Sequence, residues 1–202
     1  ECALECNEFS VRRAATTQQR VGTADLVKQM YSRKGYSTRG ILGMPQRENV
    51  ITLDAHDWKK VLGTLSVQLD TPDSGLLADA LYADEIDAFR ARGRKVCEVR
   101  KLAIDPQFGS KALMASLFQL AYLYAHVVNR ATDAFIEVNP RPAGFYQRML
   151  GFEQIGELRT CPRGNAPAVL LHVELESMKE QTALHSGRGV QAGEKNLSPS
   201  FV

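Results

Sequence analysis

Three charged residues interrupt a stretch that otherwise predicts a buried β-strand. Residues 95–105 read KVCEVRKLAID, and their β-branched and apolar side chains are typical of a central strand, yet Glu98, Arg100 and Lys101 lie within it. In a regular strand Lys101 lies on the face opposite Glu98 and Arg100, but a β-bulge, which is common beside active sites, would bring it to the face of Glu98. A carboxylate placed in this way can accept a proton, and a structural ion pair is the alternative explanation.

The loop after this strand has the features of an anion-binding turn. It reads PQFGSKA, and a strand that enters a helix through a tight loop leaves backbone N–H groups available for a phosphate. Gly109 permits unusual dihedral angles and close approach, Ser110 suits a helix cap, and Lys111 adds positive charge. An ordinary capped turn between a strand and a helix gives the same pattern.

Other reactive residues form no recognisable centre, and we expect no metal site. Four dispersed cysteines lack zinc-ligand spacing and are predicted to be reduced thiols, which favours the cytoplasm; they are Cys2, Cys6, Cys97 and Cys161. Asp54 and Asp57 lie in the predicted turn DAHDW, where aspartates bond to the local backbone. The formal net charge of +2 arises from 25 basic and 23 acidic residues, so it does not predict a nucleic-acid partner.

The elements that must position these residues alternate as in an α/β fold with a mixed sheet flanked by helices. We expect one domain, residues 1–176, and a C-terminal tail, residues 177–202, that contributes little to the core. The apolar stretch 112–128 contains Ser116, Gln119 and His126, which favours a core helix over a membrane span. The predicted strands are Phe9–Arg13, Val50–Ala55, Val61–Leu69, Lys95–Asp105, Asp133–Val138, one from Phe152 and Ala168–Glu174, and the predicted helices are Thr23–Arg33, Leu76–Arg92, Ser110–Asn129 and Gly144–Leu150.

The segment VNPRPAGFYQRMLGF, residues 138–152, resembles the strand, asparagine and short helix of the GNAT superfamily. With the loop above and a terminal hairpin, the resemblance covers roughly residues 50–174 and implies a GNAT-like mixed central sheet with splayed central parallel strands. Gly109 stands where that family's phosphate loop often has a basic residue, and Ser110 replaces a glycine, which favours a donor on a carrier protein over coenzyme A. The implied donor-binding residues are Leu102, Ala103, Ile104, Phe108, Gly109, Ser110, Lys111, Ala112 and Asn139.

Further strings, among them GTLSVQLD, SLFQLAYLYAH and CPRGNAPAVLL, resemble the FeeM-type N-acyl amino acid synthases, which are relatives of the acyl-homoserine-lactone synthases. This resemblance implies transfer of a long-chain fatty acyl group from acyl carrier protein to the amino group of an amino acid, with tyrosine the substrate associated with FeeM. It implies no tightly bound cofactor. An acetyl-CoA-dependent acetyltransferase, a lactone synthase and a non-catalytic acyl-sensing module are the alternatives.

The resemblance also implies roles for single residues. Glu98 and Lys101 fall on the positions of a glutamate and an arginine of the lactone synthases. We expect Glu98 to take the proton from the acceptor ammonium, backbone N–H groups near Leu102–Ile104 to bind the oxyanion, and Tyr146, unless it is only a packed aromatic, to protonate the departing thiol. Candidates for the acceptor carboxylate are Arg100, Arg141 and Arg163, and Lys101 is a further substrate-binding candidate. Candidates for the acyl slot or the plain core are Met114, Leu117 and Phe118.

An acyl carrier protein is acidic, so its partner needs a basic docking face. The sequence offers six basic residues for such a face, which are Arg12, Arg13, Arg33, Lys34, Lys59 and Lys60.

Overall fold

A computed structural model describes residues 3–6, 8–33, 35, 47–57, 59–161 and 165–178. These residues form nine strands and four α-helices, joined by loops. The strands are β1 Ala3–Glu5, β2 Ser10–Arg13, β3 Val50–His56, β4 Val61–Leu69, β5 Val96–Ile104, β6 Asp133–Val138, β7 Glu153–Gln154, β8 Arg159–Cys161 and β9 Ala166–Glu174. The helices are α1 Thr17–Arg33, α2 Asp79–Arg90, α3 Lys111–Tyr122 and α4 Pro140–Leu150. A π-helical segment, Leu123–Val128, continues α3.

The sheet opens between its two parallel strands. Its order is β1-β2-β3-β4-β5-β6-β9-β7, with β8 also paired to β9, and only β5 and β6 run parallel. These two strands pair from Val96–Glu98 against 133–135, after which β5 continues to Ile104 and β6 to Val138 without pairing to each other. The predicted splay is therefore confirmed, and Glu98 is the last paired residue of β5 before the gap.

Helices cover both faces of this sheet. The main core lies between the sheet and the pair α3 and α4, with Leu117 and Phe118 fully buried. On the other face α2 packs Tyr82 and Ile86 against the strands, while α1 forms a third cluster that includes Ala103 of β5. The gap between β5 and β6 thus lies between α1 and α2 on one side and α3 and α4 on the other.

Two helices begin earlier than the sequence patterns predicted. Helix α1 begins at Thr17 rather than at Thr23, because Thr16 and Gln19 form a capping box: Thr16 Oγ1 accepts from the Gln19 N–H and Gln19 Oε1 accepts from the Thr16 N–H. Helix α4 begins at Pro140, and the prolines that were expected to break the chain instead open the helix, where a missing N–H costs nothing.

The far end of the described chain packs against the core. Leu175 and Met178 are both buried in the main cluster, so the packed part of the chain extends at least to Met178, beyond the predicted boundary at residue 176. The rest of the predicted tail, residues 179–202, lies outside the described residues. No helix within the described ranges is both long enough and apolar enough to cross a membrane.

The expectation for the turn DAHDW is correct for Asp57 and wrong for Asp54. Asp57 Oδ1 accepts from the N–H groups of Lys59 and Lys60, both at 2.7 Å, and closes the turn. Strand β3 runs on to His56, so Asp54 is a fully buried strand residue whose Oδ1 lies 3.2 Å from Arg12 Nε and 3.0 Å from His56 Nδ1. Burial raises the pKa of Asp54, and Arg12 and His56 oppose that rise.

Candidate active site

A β-bulge in β5 lies where the sequence analysis placed it. Lys101 has a φ of 54°, and the pairing with β4 passes from Ser66 opposite Arg100 to Thr64 opposite Ala103, so β5 has one more residue than β4 in this interval. The extra residue shifts the alternation of side chains along β5. As a result, Cys97 and Val99 before the bulge and Leu102 and Ile104 after it lie in the same core cluster. Burial, and secondly the charge of Arg100, lower the pKa of Lys101.

Beyond the bulge, backbone N–H groups of β5 point into the gap. The Asp105 N–H donates to Leu62 O of β4 at 2.8 Å. Because successive N–H groups of a strand point to alternate sides, the N–H of Ala103 is directed at β4 as well, whereas those of Leu102 and Ile104 are directed at the side where β6 has separated. Of the three predicted backbone donors, Leu102 and Ile104 therefore have the orientation that an oxyanion in the gap requires.

Glu98 is a buried carboxylate at the mouth of the gap. Its side chain is held by main chain: Glu98 Oε2 accepts from the N–H groups of Leu77 at 2.7 Å and Ala78 at 3.1 Å. No ion pair of Glu98 occurs among the residues that the structure describes. Burial raises the pKa of Glu98 to about 7, although the Ala78 N–H and Arg100 favour the charged form. A carboxyl group with this pKa is suited to accept protons near neutral pH.

A second set of hydrogen bonds lies beside Glu98 and also involves the segment before α2. Gln68 of β4 lies directly opposite Glu98 in the strand register and is buried. Its Nε2 donates to Gly75 O at 2.8 Å, and its Oε1 accepts from Arg100 Nη1. Gln68 was not among the predicted site residues, although polar residues at alternate positions of GTLSVQLD indicated a polar strand face.

Glu137 of β6 is a second residue that the sequence analysis missed. It follows the part of β6 that pairs with β5 and shares a face with Phe135, which packs against α2 in the same cluster as Val96. Its charge contributes to the raised pKa of Glu98. An acidic residue inside the apolar strand DAFIEV was the available signal.

Tyr146 is buried in an aromatic cluster of the main core. Its ring centroid lies 6.5 Å from that of Phe118, 5.8 Å from Phe145 and 6.2 Å from Phe152. Burial, and secondly Tyr31 of α1, raise its pKa well above the usual range of a phenol. The phenol therefore holds its proton at neutral pH, which a proton donor requires and which a packed aromatic also permits.

The loop before α3 is capped as predicted, but Gly109 has no special conformation. Ser110 caps α3 by accepting from the Leu113 N–H at 3.0 Å. Gly109 is outside the left-handed region, and a Cβ there would come no closer than 3.7 Å to Ile104, so the expectation that Gly109 supplies unusual dihedral angles is wrong. Lys111 and Ala112 are exposed at the start of the helix.

A polar groove of about 1090 Å³ adjoins this loop. Asp105 and Gln107 of the loop line it together with α1 and the β3–β4 turn. Its basic residues, all predicted for carrier docking, are Arg12, Arg33, Lys59 and Lys60. Lys60 Nζ lies 2.8 Å from Asp105 Oδ2 and 4.2 Å from the ring centroid of Phe108. Lys34, the neighbour of Arg33, lies outside the described residues.

The other predicted residues lie in structural positions. Met114 and Phe118 are buried in the main core, and Phe118 also lines an apolar cavity of only about 10 Å³, so a fatty acyl chain would have to open this region. Asn139 caps α4 by accepting from the Arg141 N–H at 3.2 Å and donates to Pro167 O at 3.3 Å. Arg163 lies outside the described residues.

A mixed sheet that opens between two parallel strands is the fold of the GNAT class. Solved structures of this class share the fold: an acyl-CoA N-acyltransferase from Pseudomonas aeruginosa is 14% identical, with a TM-score of 0.57 over 82% of this chain and 97% of that chain. An N-acetyltransferase from Staphylococcus aureus Mu50 is 12% identical, with a TM-score of 0.58 over 83% of this chain and 98% of that chain.

The family follows from a closer match. The model of the N-acyl amino acid synthase FeeM family matches residues 22–174, so the chain belongs to that family and is an acyltransferase. The structure of FeeM, an N-acyl amino acid synthase from uncultured soil microbes, is 28% identical, with a TM-score of 0.75 over 89% of this chain and 97% of that chain. No curated protein matches this chain.

Proposed function

We propose that this N-acyl amino acid synthase transfers a long-chain fatty acyl group from the phosphopantetheine thioester of an acyl carrier protein to the α-amino group of tyrosine. The observation that carries this proposal is the gap between β5 and β6, with Glu98 buried at its mouth and held by two backbone N–H groups. The family supplies the acyltransferase activity. The carrier-bound donor and the tyrosine acceptor are our extension of it.

The proposed reaction uses groups on both sides of the gap. Glu98 takes a proton from the acceptor ammonium, and the free amine attacks the thioester carbonyl. The N–H groups of Leu102 and Ile104 donate to the carbonyl oxygen as it becomes an oxyanion. When the carbon–sulfur bond breaks, Tyr146 gives its proton to the departing thiolate and regains one from the amine nitrogen, which the attack has left positively charged; Glu98 later releases its proton to solvent.

The acceptor carboxylate is assigned to the cationic part of β5. Arg100 follows Glu98 by two residues on the same face, and its guanidinium offers the planar fork that a carboxylate binds most strongly. Lys101, turned by the bulge, adds a second cation. An amino acid whose carboxylate meets Arg100 would present its amino group towards Glu98.

The donor is assigned to the capped start of α3 and the groove beside it. Phe108, Gly109, Ser110, Lys111 and Ala112 surround the first turn of α3, whose backbone N–H groups favour the pantetheine phosphate. Across the gap, Asn139 at the start of α4 is the proposed contact of the pantetheine arm, and Met114 and Phe118 are the proposed wall of the acyl slot. The adjoining groove holds as many aspartates as arginines and lysines, and Arg12 and Lys60 pair with Asp54 and Asp105, so we assign carrier docking to the exposed Arg33 and Lys59.

A donor comparison tests this proposal. The purified chain, supplied with tyrosine and either palmitoyl-acyl carrier protein or palmitoyl-CoA, should form N-palmitoyltyrosine faster from the carrier, as measured by mass spectrometry. Lys59→Glu, in the groove, should raise KM for the carrier roughly 10-fold without changing KM for palmitoyl-CoA. Lys95→Glu is the matched control, because Lys95 is exposed at the opposite end of β5. Equal use of both donors, or an equal effect of the two charge reversals, would contradict the carrier assignment.

A further inference from the structure

We infer that Gln68 is a positioning residue that orients Arg100 for the acceptor carboxylate and so makes the enzyme select amino acids over amines without a carboxylate. This inference rests on the proposed function. The chemistry of the amide supports it, because Gln68 joins two partners with opposite needs: Gly75 O requires a donor, and Arg100 requires an acceptor. An amide side chain supplies both at once, whereas a carboxylate or an alkyl chain cannot.

The position of Gln68 gives it this role. It lies on β4 directly opposite Glu98 and is only 1% exposed, so its hydrogen bonds face little competition from water. Arg100 lies on the neighbouring strand, opposite Ser66. The contact with Gln68 Oε1 engages one of the five N–H donors of Arg100 and holds its Nη1 beside Gln68, the residue that lies opposite Glu98.

The short segment 75–78 holds the side chains of both Gln68 and Glu98. Gly75 O anchors Gln68, while the N–H groups of Leu77 and Ala78 anchor Glu98. A displacement of this segment would therefore move the base and the guanidinium together. The distance between the proton acceptor and the carboxylate site is set by main chain, which suits a substrate whose amino and carboxylate groups share one carbon atom.

Two acceptors distinguish positioning from a structural role. The experiment measures kcat and KM for tyrosine and for tyrosinamide, which lacks the carboxylate, in the wild type, Gln68→Met, Arg100→Met and the double variant. Gln68→Met should raise KM for tyrosine roughly 10- to 100-fold, the loss expected when a charge-assisted hydrogen bond no longer holds its partner, with kcat nearly unchanged. For tyrosinamide, kcat/KM should stay within about threefold of the wild type.

The double variant and a matched control complete the test. Because Gln68 acts through Arg100, adding Gln68→Met to Arg100→Met should change neither acceptor's kcat/KM further. Thr64→Val removes a different buried side-chain hydrogen bond of β4, from the Thr64 hydroxyl to Leu53 O, and should leave the ratio of kcat/KM for the two acceptors unchanged. If Gln68→Met does not fold, Gln68→Asn replaces it, because the shorter amide carries no charge but cannot reach Gly75 O and Arg100 together, and it should raise KM for tyrosine alone.

Three other outcomes would refute either the role of Gln68 or the proposed function. Equal losses with both acceptors would make Gln68 a structural residue and refute the inference. A wild type that acylates tyrosine and tyrosinamide equally well would refute the inference and leave the transferase reaction standing. A wild type that acylates neither acceptor would refute the proposed function.

Discussion

Replacement of Glu98 by glutamine should make the protein more stable and almost inactive. The amide oxygen of the introduced glutamine side chain can accept the same two bonds from Leu77 and Ala78, while the buried negative charge disappears. The lost base should lower kcat by about 10²- to 10⁴-fold, the usual contribution of a positioned general base. A substitution that merely damaged the fold would lower activity and stability together.

The magnitude of the stabilisation follows from the pKa of Glu98. Burial raises this pKa from 4.5 to about 7, so ionising Glu98 in the folded protein costs about 3 kcal/mol more than in the unfolded chain. At pH values below 4.5 the carboxyl group is protonated in both states and has no effect. Between pH 4.5 and about 7 the unfolded chain ionises first, and the wild type loses up to about 3 kcal/mol that Glu98→Gln keeps.

Thermal unfolding between pH 4 and 8, with parallel rate measurements, checks both statements. Near pH 8 the melting temperature of Glu98→Gln should exceed that of the wild type by up to about 6 to 12 °C, and the difference should vanish towards pH 4. The wild-type rate should rise with pH through about 7, and the residual rate of the variant should not. Glu153→Gln, an exposed substitution in β7, is the control for both. Wild-type turnover in Glu98→Gln would refute the base assignment, and a stability difference independent of pH would refute the buried ionisation.

Three further substitutions test the surroundings. Glu137→Gln removes a charge that raises the pKa of Glu98, so the acidic limb of the kcat/KM profile should move to lower pH, and an unmoved limb would contradict that coupling. Gly156→Ala would place a Cβ 2.7 Å from the ring of Tyr82, so urea unfolding should reveal a loss of about 1 to 3 kcal/mol, and unchanged stability would contradict this packing. Asp133→Asn should cost about 2 kcal/mol at pH 7, because the buried carboxylate of Asp133 loses its charge-assisted hydrogen bonds to the partly exposed Arg94. Hydrogen bonds from His172, Arg94 and Thr132 outweigh burial and lower the pKa of Asp133, so the wild type's greater free energy of unfolding should shrink as the pH falls below 3.8. A difference in unfolding free energy that does not change with pH would contradict this.

The sequence predicted elements well where the pattern was local. Strands β4 and β6 have the predicted bounds, Val61–Leu69 and Asp133–Val138, because turns and prolines flank clear apolar runs. The start of α1 was missed, since the first turns of that helix are polar and periodicity alone could not reveal them. The spacing of Thr16 and Gln19 was the readable signal.

The candidate site was predictable only in part, because half of it is main chain. The type and position of Glu98 and the bulge at Lys101 could be inferred from charges in an apolar strand. The N–H groups that hold Glu98 could not, since almost any residue at positions 77 and 78 supplies them. Gln68 was missed because its importance depends on the strand register, which a single sequence does not give.

The way Glu98 is held explains how one carboxylate can be both fixed and basic. An arginine or lysine in direct contact would hold the side chain but would lower its pKa by about one to three units, leaving a weak base. Two backbone N–H groups orient the carboxylate while burial still dominates, so its pKa remains at about 7. Arg100, engaged by Gln68 Oε1, only partly opposes this rise. In the proposed mechanism, the segment 75–78 holds Gln68 and Glu98 separately, so that Arg100 meets the acceptor carboxylate without neutralising the base that the amino group needs.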